Sequence, residues 1–344
     1  MMTELLTVVV CSYNGANKID TCLEALAKQN VRVPVVVVDD GSTDAVADVA
    51  SGFEGVEVVR LETNVGLSAA RNIGVEYAKS EFVAFCDDDC IPPAEWTELL
   101  IAAWTKASDG TMGLGGVVVA AEYDSLNQRY MGANNPLRPL DIKLAQNPSF
   151  LTRLKLQLAG PNRQHSYIHR VYSLVGANMS FRKSAINAVG GFNNSIHFGG
   201  DEEYLCVELR KQFGDSCLLV DPAIVMRHSF ESPLRDTWRR SLAYGRGSGR
   251  RWVLEGDMPS IPPVGATAIA VTIMLAPFSL AGAFVAGLIV GISPRGFWWR
   301  EALRTGRPEY SVYPVLALSE DVCNSAGFAL GAANQLFRYR KGKS

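Results

Sequence analysis

Three consecutive carboxylates, Asp87, Asp88 and Asp89, follow the apolar run 82–86. Adjacent carboxylates repel one another, so they are costly unless a cation or strong hydrogen-bond donors neutralise them. Oxygen ligands with few histidines nearby suit Mg²⁺ or Mn²⁺, ions that commonly bind through one or two carboxylates together with substrate phosphates. The triplet therefore predicts a divalent-metal site, of the kind that binds substrate phosphates, and the alternative is a solvated acidic turn.

Polar side chains also follow two earlier apolar runs. Ser12, Tyr13 and Asn14 come after run 6–11, and the segment DDGS, which begins with Asp39 and Asp40, comes after run 33–38. An Asp-Gly pair alone is first a turn former, so this second segment has little meaning by itself. It gains meaning if the ends of these runs meet in the fold.

Arg71 lies in the segment NVGLSAARNIG (64–74), where small residues allow a helix to approach neighbouring backbone closely. A guanidinium at that position can pair with a diphosphate through two parallel hydrogen bonds. The alternative is an ordinary surface arginine.

The elements that would position these residues alternate between strand and helix. Runs 6–11, 33–38, 56–59 and 82–86 are apolar and rich in valine, as in strands that are buried on both faces. Helical patterns lie at 18–29 and 64–78. This order predicts an α/β fold, a mostly parallel sheet with helices on both faces, and ligands on such sheets bind outside the carboxyl ends of the strands.

Beyond Trp96 the pattern is weaker. We expect strands at 113–121 and 175–182 and an irregular, basic stretch at 127–166. Short helices are expected at 184–189 and 202–213, each ended by glycine.

Composition narrows the class of protein. The 344 residues carry a net charge of −2, which argues against a general nucleic-acid binder. The seven cysteines include no C-x-x-C pair, so neither a disulfide framework nor a zinc module is indicated. The N-terminal residues show no pattern of a signal peptide.

A long apolar segment points to a membrane. Residues 264–292 are mostly apolar and 258–294 contain no charge, which is more than the ~20 residues that cross a bilayer. Pro277 divides the segment into halves too short to span alone, and arginines follow it, so we expect a hairpin or a shallow insertion. The alternative is a buried core helix. A weaker apolar segment at 313–337 is interrupted by Glu320 and Asp321 and followed by Arg338, Arg340, Lys341 and Lys343.

Six segments taken together resemble motifs of the family-2 glycosyltransferases, of the inverting, membrane-associated bacterial type. They occur in the family's order over about residues 5–230 and are strongly specific as a set. They are TVVVCSYNG (7–15), VVVVDDGSTD (35–44), NVGLSAARNIG (64–74), FCDDDCIPP (85–93), GANMSFRKSAINAVGGF (176–192) and GGDEEYLCVELR (199–210). The resemblance implies a GT-A fold, a nucleotide-binding, Rossmann-like mixed sheet flanked by helices.

The resemblance also implies roles for the strand-end residues. Asp87-x-Asp89 matches the D-x-D motif, with Asp89 as the metal ligand and Asp87 nearer the ribose. Arg71 would share the charge of the diphosphate. The remaining expected donor-binding residues are Ser12, Tyr13, Asn14, Asp39, Asp40 and Asp88.

An acidic pair at the start of a helix is the expected source of the general base. The family usually has Glu-Asp here, and this chain has Asp201-Glu202, the reverse order. The resemblance implies Glu202 as the base, with Asp201 as an open alternative and Glu203 as a distant third. Acids that open a helix also stabilise its dipole, which is the structural alternative.

Two later features resemble parts of the family. His228 could reach the metal or the diphosphate, or be a surface histidine. Arg250-Arg251-Trp252 faintly resembles the Q-x-x-R-W signature of processive members, but the glutamine is absent, so transfer of a single sugar is expected. The arginine-rich segment 238–251, a predicted helix and loop, would close over phosphates or lie against anionic lipid.

The sequence therefore predicts a catalytic domain at 1–230, an arginine-rich link at 231–257 and a membrane-associated helical region at 258–344. The expected activity is metal-dependent, inverting transfer from a nucleotide sugar, with uridine and deoxythymidine diphosphate donors both suitable. The expected acceptor is lipid-linked or an envelope glycan at the cytoplasmic face of the cell membrane. The alternatives are a nucleotidyltransferase of related fold and an inactive nucleotide-sugar-binding membrane scaffold.

Overall fold

The structure is a computed structural model that describes residues 5–143, 149, 165–196, 199–231, 233–256 and 264–341. Contacts divide the chain into two compact units. The described part of unit 1 is 5–122, 136–143, 165–196 and 199–230, and that of unit 2 is 123–135, 149, 231, 233–256 and 264–341. The stretch expected to be irregular, 127–166, begins instead with a helix, Leu126–Ala133. Half of the stretch, 144–148 and 150–164, lies outside the described residues, as do 258–263 and Lys343.

Unit 1 is built on one large sheet. Its strands are β1 Leu6–Ser12, β2 Val35–Asp39, β3 Val56–Arg60, β4 Phe82–Asp87, β5 Cys90–Ile91, β6 Gly113–Ala120, β7 Leu140–Asp141, β8 His169–Ser173, β9 Met179–Arg182 and β10 Leu218–His228. Its helices are α1 Ala16–Ala27, α2 Val46–Ser51, α3 Leu67–Tyr77, α4 Trp96–Lys106, α6 Lys183–Ala188 and α7 Asp201–Phe213. Among the described residues, the strand order is β3-β2-β1-β4-β9-β6-β10-β8-β7, with β5 paired to β10.

The register of β1 aligns the polar strand ends. β1 lies between β2 and β4 and runs parallel to both, with Ser12 opposite Asp39 and Cys11 opposite Asp87. The predicted parallel arrangement of these strands is therefore confirmed, and three of the polar ends meet at one edge of the sheet.

The centre of the sheet is mixed because β9 lies antiparallel between β4 and β6. The strand expected at 175–182 is shorter than predicted, since Gly176–Asn178 forms a 3₁₀ turn before β9 begins. The Asn178 side chain donates to the carbonyls of Val117 and Ile224, and its oxygen accepts from Trp96 Nε1 at 2.9 Å. This buried amide satisfies backbone carbonyls beside the register shift between β6 and β10.

Apolar side chains cover both faces of the sheet. Val8 and Val10 of β1 belong to one buried cluster, and Val9 belongs to the other. Strands buried on both faces are continuous apolar runs, which is why the valine-rich segments were recognisable.

Unit 2 is helical. Its helices are α5 Leu126–Ala133, α8 Leu234–Glu255, α9 Val264–Leu275, α10 Leu280–Ile292, α11 Phe297–Thr305 and α12 Tyr313–Lys341. The segment 238–251, expected to be a helix and loop, lies entirely within α8. That expectation was wrong because glycines that signal a turn are used here for close helix packing. A Cβ atom at Gly245 or Gly249 would clash with the α12 backbone, and one at Gly327 or Gly331 with the α8 backbone.

The acids that interrupt the segment 313–337 both have partners. Tyr130 Oη donates to Glu320, and Ser241 Oγ donates to the same carboxylate at 3.2 Å. Asp321 forms an ion pair with Arg295. The charges in this apolar part of α12 are thus neutralised within unit 2.

The hydrophobic segment forms α9 and α10, separated by the break 276–279 that contains Pro277. Within the described residues, no single helix has the length and hydropathy to cross a membrane. Residues Leu280–Arg295 and Phe297–Thr305, which are bent by 56° at the break between them, meet that test only as a pair.

Candidate active site

Two carboxylates and one imidazole converge at the edge of the sheet. One potential ligand atom from each of Asp87, Asp89 and His228 lies within 4.8 Å of the others. Asp87 ends β4 and His228 ends β10, where β5 pairs with it in the register Cys90 opposite His228. Strand pairing therefore brings His228 beside the acidic triplet although the two are far apart in the sequence.

The two outer acids of the triplet differ electrostatically. Burial alone would raise the pKa of Asp89, but His228 Nε2 at 3.0 Å and Lys18 Nζ at 3.3 Å hold it well below the usual range. Burial raises the pKa of Asp87, an effect that Arg71 opposes and that Asp89 reinforces. Asp89 is therefore the firmly ionised member, and a cation nearby would also ionise Asp87.

The donor set fits a divalent cation. Carboxylate oxygens suit Mg²⁺ and Mn²⁺, and one added imidazole is compatible with a transition metal such as Mn²⁺. Asp87 and Asp89 are partly buried carboxylates that repel each other, and a cation between them would offset that repulsion.

Ser12 and Asp88 are in direct contact. Ser12 Oγ donates a hydrogen bond to Asp88 Oδ2, and a Cβ atom on Gly15 would collide with both groups. Burial raises the pKa of Asp88 to about 7, with a further rise from Asp89. Asp88 therefore links the triplet to the end of β1.

The loops after β1 and β2 are joined through Asn14. Its backbone N–H donates to Ser42 Oγ at 3.0 Å, and its side-chain oxygen accepts from Thr43 N at 2.9 Å. Asn14 has a φ of 54°, a left-handed conformation that asparagine tolerates better than most residues. Asn14 thus fixes the two loops, while the neighbouring Tyr13 is 51% exposed beside them.

The two aspartates after β2 have different surroundings. Asp39 accepts the Ser42 N–H at 2.9 Å through Oδ1, while its Oδ2 has no hydrogen bond within the described part of the chain and lies 3.7 Å from Arg60 Nε. Asp40, which the sequence suggested as a donor-binding residue, is buried. Its oxygens accept from the backbone of Val65 and Gly66, so it positions the loop before α3.

Arg71 is buried and bridges two acids. Its Nη1 lies 2.5 Å from Asp201 Oδ2 and its Nη2 lies 3.2 Å from Asp87 Oδ1. The guanidinium carbon also lies 5.7 Å from the centre of the Phe192 ring. Arg71 was expected to bind the diphosphate directly, but both of its terminal nitrogens are engaged by protein carboxylates.

The acidic pair at the start of α7 has one buried and one accessible member. Gly199 and Gly200, with φ values of 79° and 86°, make the turn that leads into the helix. Asp201 is 1% exposed and paired with Arg71, whereas Glu202 is only partly buried. Burial raises the pKa of Glu202 to about 8, and the Asp201 carboxylate adds to the rise.

The structure thus brings Ser12, Asp87, Asp88, Asp89 and His228 together, with Asp201 linked through Arg71. Lys18 was missed by the sequence reasoning, although it pairs with Asp89. The sequence feature that could have identified Lys18 is its position as a basic residue in the first turn of α1, the helix that follows strand β1.

The family model of glycosyl transferase family 2 matches residues 7–190, more than half of the chain. The chain belongs to this family. The predicted GT-A α/β fold is confirmed by solved structures that share it, although they are only 15% identical. A mannosyltransferase from Pyrobaculum calidifontis, in complex with GDP-Man and Mn²⁺, has a TM-score of 0.56 over 94% of this chain and 86% of its own. GalNAc-T7, solved with UDP, GalNAc and Mn²⁺, has a TM-score of 0.50 over 75% of this chain and 52% of its own.

Curated relatives are also glycosyltransferases by name. The pre-mycofactocin glycosyltransferase of Mycobacterium tuberculosis strain H37Rv is 31% identical over 242 residues, which are 70% of this chain and 46% of that protein. The chain therefore spans about half the length of this relative. The glucosyl-dolichyl phosphate glucuronosyltransferase of Haloferax volcanii is 24% identical over 71% of this chain and 76% of that protein.

Proposed function

We propose that this protein transfers a single sugar from a nucleotide-diphosphate sugar to an acceptor hydroxyl, with a divalent metal on the diphosphate and inversion at the anomeric carbon. The observation that carries the proposal is the convergence of Asp87, Asp89 and His228 at the sheet edge where Ser12 and Asp39 end. A parallel strand edge with a metal-binding group suits a nucleotide whose phosphates need a cation.

The nucleotide would lie over the ends of β1 and β2. The exposed ring of Tyr13 offers a surface for the base, and Asp39 Oδ2 is a buried acceptor without a hydrogen bond within the described residues. A ligand N–H or hydroxyl would satisfy that oxygen. The relatives solved with GDP-Man and with UDP support a nucleotide donor, and uridine and deoxythymidine diphosphate sugars remain our proposed donors.

Asp87, Asp89 and His228 would hold Mg²⁺ or Mn²⁺. When bound, the cation would neutralise the charge that develops on the diphosphate leaving group. The Mn²⁺ in the two solved relatives supports this assignment. Arg71 would hold Asp87 in place and would not contact the diphosphate itself, since its terminal nitrogens already contact Asp87 and Asp201.

Glu202 is the proposed general base. Asp201 is neutralised by Arg71 and almost inaccessible, whereas Glu202 is partly exposed with a pKa near 8. A base with a pKa close to the working pH is effective in proton transfer. Glu202 would take the proton of the acceptor hydroxyl. At the same time, the acceptor oxygen would bond to the anomeric carbon and the bond between that carbon and the diphosphate would break. Attack opposite the leaving group inverts the anomeric configuration.

We further propose a lipid-linked or envelope-glycan acceptor at the cytoplasmic face of the membrane, which two observations support. The chain carries the apolar helices α9 and α10 beside its catalytic unit in the sequence. A relative in Haloferax volcanii is named for a dolichyl phosphate substrate. Basic residues around apolar segments favour the cytoplasmic side.

The deciding experiment is a screen of nucleotide sugars with membrane lipid extract as the acceptor source. Released nucleoside diphosphate and labelled lipid product are measured with Mg²⁺, with Mn²⁺ and with a chelator. We expect metal-dependent release that Asp89→Asn abolishes and Asp109→Asn, an exposed acid of unit 1, leaves intact. Pyrophosphate in place of nucleoside diphosphate would instead indicate nucleotidyl transfer. Donor binding without any turnover would indicate a scaffold.

A further inference from the structure

The helices α9 and α10 expose their large apolar side chains and bury their small ones. On α10, Ala283, Gly287 and Gly291 face inward. A Cβ atom on Gly287 would meet Thr272 of α9, and one on Gly291 would meet Leu318 of α12. The exposed side chains of the hairpin include Phe278 at 86%, Leu280 at 78%, Phe284 at 61%, Ile289 at 61% and Ile273 at 68%.

Large apolar residues outside and small ones inside are the reverse of the pattern found in helices at a water-exposed surface. A helix at a protein surface in water buries its large apolar residues and exposes polar ones. In lipid, by contrast, helices pack through small residues while large apolar side chains face the acyl chains. A group of large exposed apolar side chains on neighbouring helices indicates a partner.

The dimensions suit one leaflet better than a full crossing. α9 has 12 residues and α10 has 13, so at about 1.5 Å per residue each is roughly 18 to 20 Å long. The hydrocarbon core of a bilayer is about 30 Å thick. With its open end among the headgroups, a hairpin of this length reaches about the middle of the core and stops well short of the far side.

The turn between the two helices satisfies its own backbone donors. Ala276 N–H donates to Thr272 O at 3.0 Å, and the N–H groups of Phe278 and Ser279 both donate to Leu275 O. Ser279 Oγ accepts from Gly282 N at 3.1 Å, and Pro277 has no N–H to satisfy. Irregular backbone is tolerated in hydrocarbon only when its polar groups are paired in this way.

The helix that follows the hairpin is basic and amphipathic. Trp299 and Leu303, four residues apart on α11, are 46% and 88% exposed. Arg300 and Arg304 of α11 and Arg307 just after it are also exposed, and Arg304 is paired with Glu301 at 2.6 Å. Tryptophan and arginine at the end of an apolar segment are typical of the headgroup region, and the arginines complement anionic lipid.

We propose that the hairpin α9–α10 inserts tip first into a single leaflet of an anionic bilayer, with Phe278 deepest and α11 lying among the headgroups. The partner is the lipid bilayer itself. The proposal is independent of the sugar transfer proposed above. A second copy of the chain is the competing occupant of the same apolar face.

Flotation of the full chain with phosphatidylcholine vesicles, with and without phosphatidylglycerol, tests the insertion. Phe278→Glu together with Phe284→Glu should lower the bound fraction by about 100-fold or more, because a charge in hydrocarbon is strongly unfavourable. Tyr77→Glu, an exposed aromatic of unit 1, is the matched control and should float like the unaltered protein. Unchanged flotation of the double variant would overturn the proposal.

Depth and competing occupancy need separate readouts. The added emission of Phe278→Trp should shift to shorter wavelength with vesicles and be quenched by lipids brominated along the acyl chain. Emission that is unshifted would exclude insertion. Light scattering of the protein in detergent-free buffer tests the second copy, since a dimer that the double variant dissociates, without loss of flotation, would assign the face to self-association.

Two further measurements isolate the headgroup contact and the catalytic unit. Arg300→Gln with Arg307→Gln should weaken flotation with anionic vesicles and leave it unchanged with neutral ones, and equal loss on both would remove the headgroup role of α11. Nucleoside diphosphate release in detergent should be unaffected in the double glutamate variant. If this release is lost as well, the double variant has lost its fold, and the quenching of Phe278→Trp by brominated lipids then decides the insertion.

Discussion

Arg71 and Asp201 form an ion pair of 2.5 Å whose side chains are 4% and 1% exposed. The same guanidinium contacts Asp87 at 3.2 Å. The start of α7 and the end of β4 are therefore joined by one buried cation. Asp201 is buried in this pair, so Glu202 is the more accessible member of the acidic pair.

The first prediction concerns this buried pair. Arg71→Met should lower the free energy of unfolding by about 3 to 5 kcal/mol, because it leaves Asp201 buried and uncompensated. Arg71→Met combined with Asp201→Asn should recover a large part of that loss. Chemical denaturation of the four chains gives the coupling energy. Strictly additive losses would mean that the pair does not act as a unit.

The second prediction separates the two acids. Glu202→Gln should reduce kcat by about 10²- to 10⁴-fold, the contribution of a general base, while donor affinity is retained. Asp201→Asn should instead lower stability and affect donor binding through Arg71. Steady-state kinetics with donor titration measures both variants. If Asp201→Asn alone reduces kcat with stability unchanged, the base assignment is wrong.

The third prediction is a pH dependence. The raised pKa of Glu202, about 8, means that its proton is retained at neutral pH in the folded protein. Activity should therefore rise with pH through about 8, since the base acts only when deprotonated. The folded state binds this proton more tightly than the unfolded state, so the contribution of Glu202 to stability is present at low pH and is lost as pH rises toward 8. Glu202→Gln should flatten both profiles, and a stability profile identical to that of the unaltered protein would contradict the assignment.

The fourth prediction concerns the metal. Asp89→Asn should weaken Mn²⁺ binding by more than the 10- to 100-fold that is typical of an outer partner of a metal site. His228→Ala should weaken it less than Asp89→Asn, because Asp89 carries the ionised charge. Electron paramagnetic resonance of free Mn²⁺ measures the binding without any turnover, with Asp109→Asn as control. Equal affinity in all four chains would remove the metal site.

The fifth prediction concerns the contact between α8 and α12. Replacing glycine with alanine inside a helix ordinarily stabilises it by up to about 1 kcal/mol. At Gly327 the added Cβ would meet the Leu242 carbonyl, so Gly327→Ala should destabilise unit 2 by about 1 to 3 kcal/mol. Gly282→Ala, whose nearest neighbour is the Ser279 side chain at 3.2 Å, is the control. Thermal unfolding in detergent distinguishes them.

Much of the sheet of unit 1 could be predicted because several of its strands, such as β1 and β2, are continuous runs rich in valine. Polar residues that end such runs must gather at one edge, and Ser12 opposite Asp39 is the direct result. The short α2 and the helix α4 were not predicted, although Trp96, Leu100 and Trp104 have the spacing of a buried helical face. Local sequence also could not reveal that β9 enters antiparallel, since sheet order is a long-range property.

Prediction from the sequence was limited in the same way at the candidate active site, because side-chain contacts there are also long-range. The acidic triplet indicates a candidate cation site by its charge alone, but the contacts of Asp40 and Arg71 depend on which groups surround them once the chain has folded. Asp40 binds the backbone of 65–66, and Arg71 binds other side chains. In α8, a Gly-Ser-Gly sequence that locally favours a turn is overridden by contact with α12.

The glycine contacts of unit 2 restrict which substitutions its inner surface, where α8 and α12 meet, can accept, but not those on the outer side of α10. Where α8 and α12 meet, the backbones touch, and no other residue fits at Gly245 or Gly327 without moving a helix. Along the outer side of α10, any bulky apolar residue would serve in place of Leu280 or Phe284. Homologous chains should therefore keep the same residues on the inner surface, whereas on the outer surface they need only keep apolar residues. The pattern of substitutions among homologues would then show which side of the unit contacts protein.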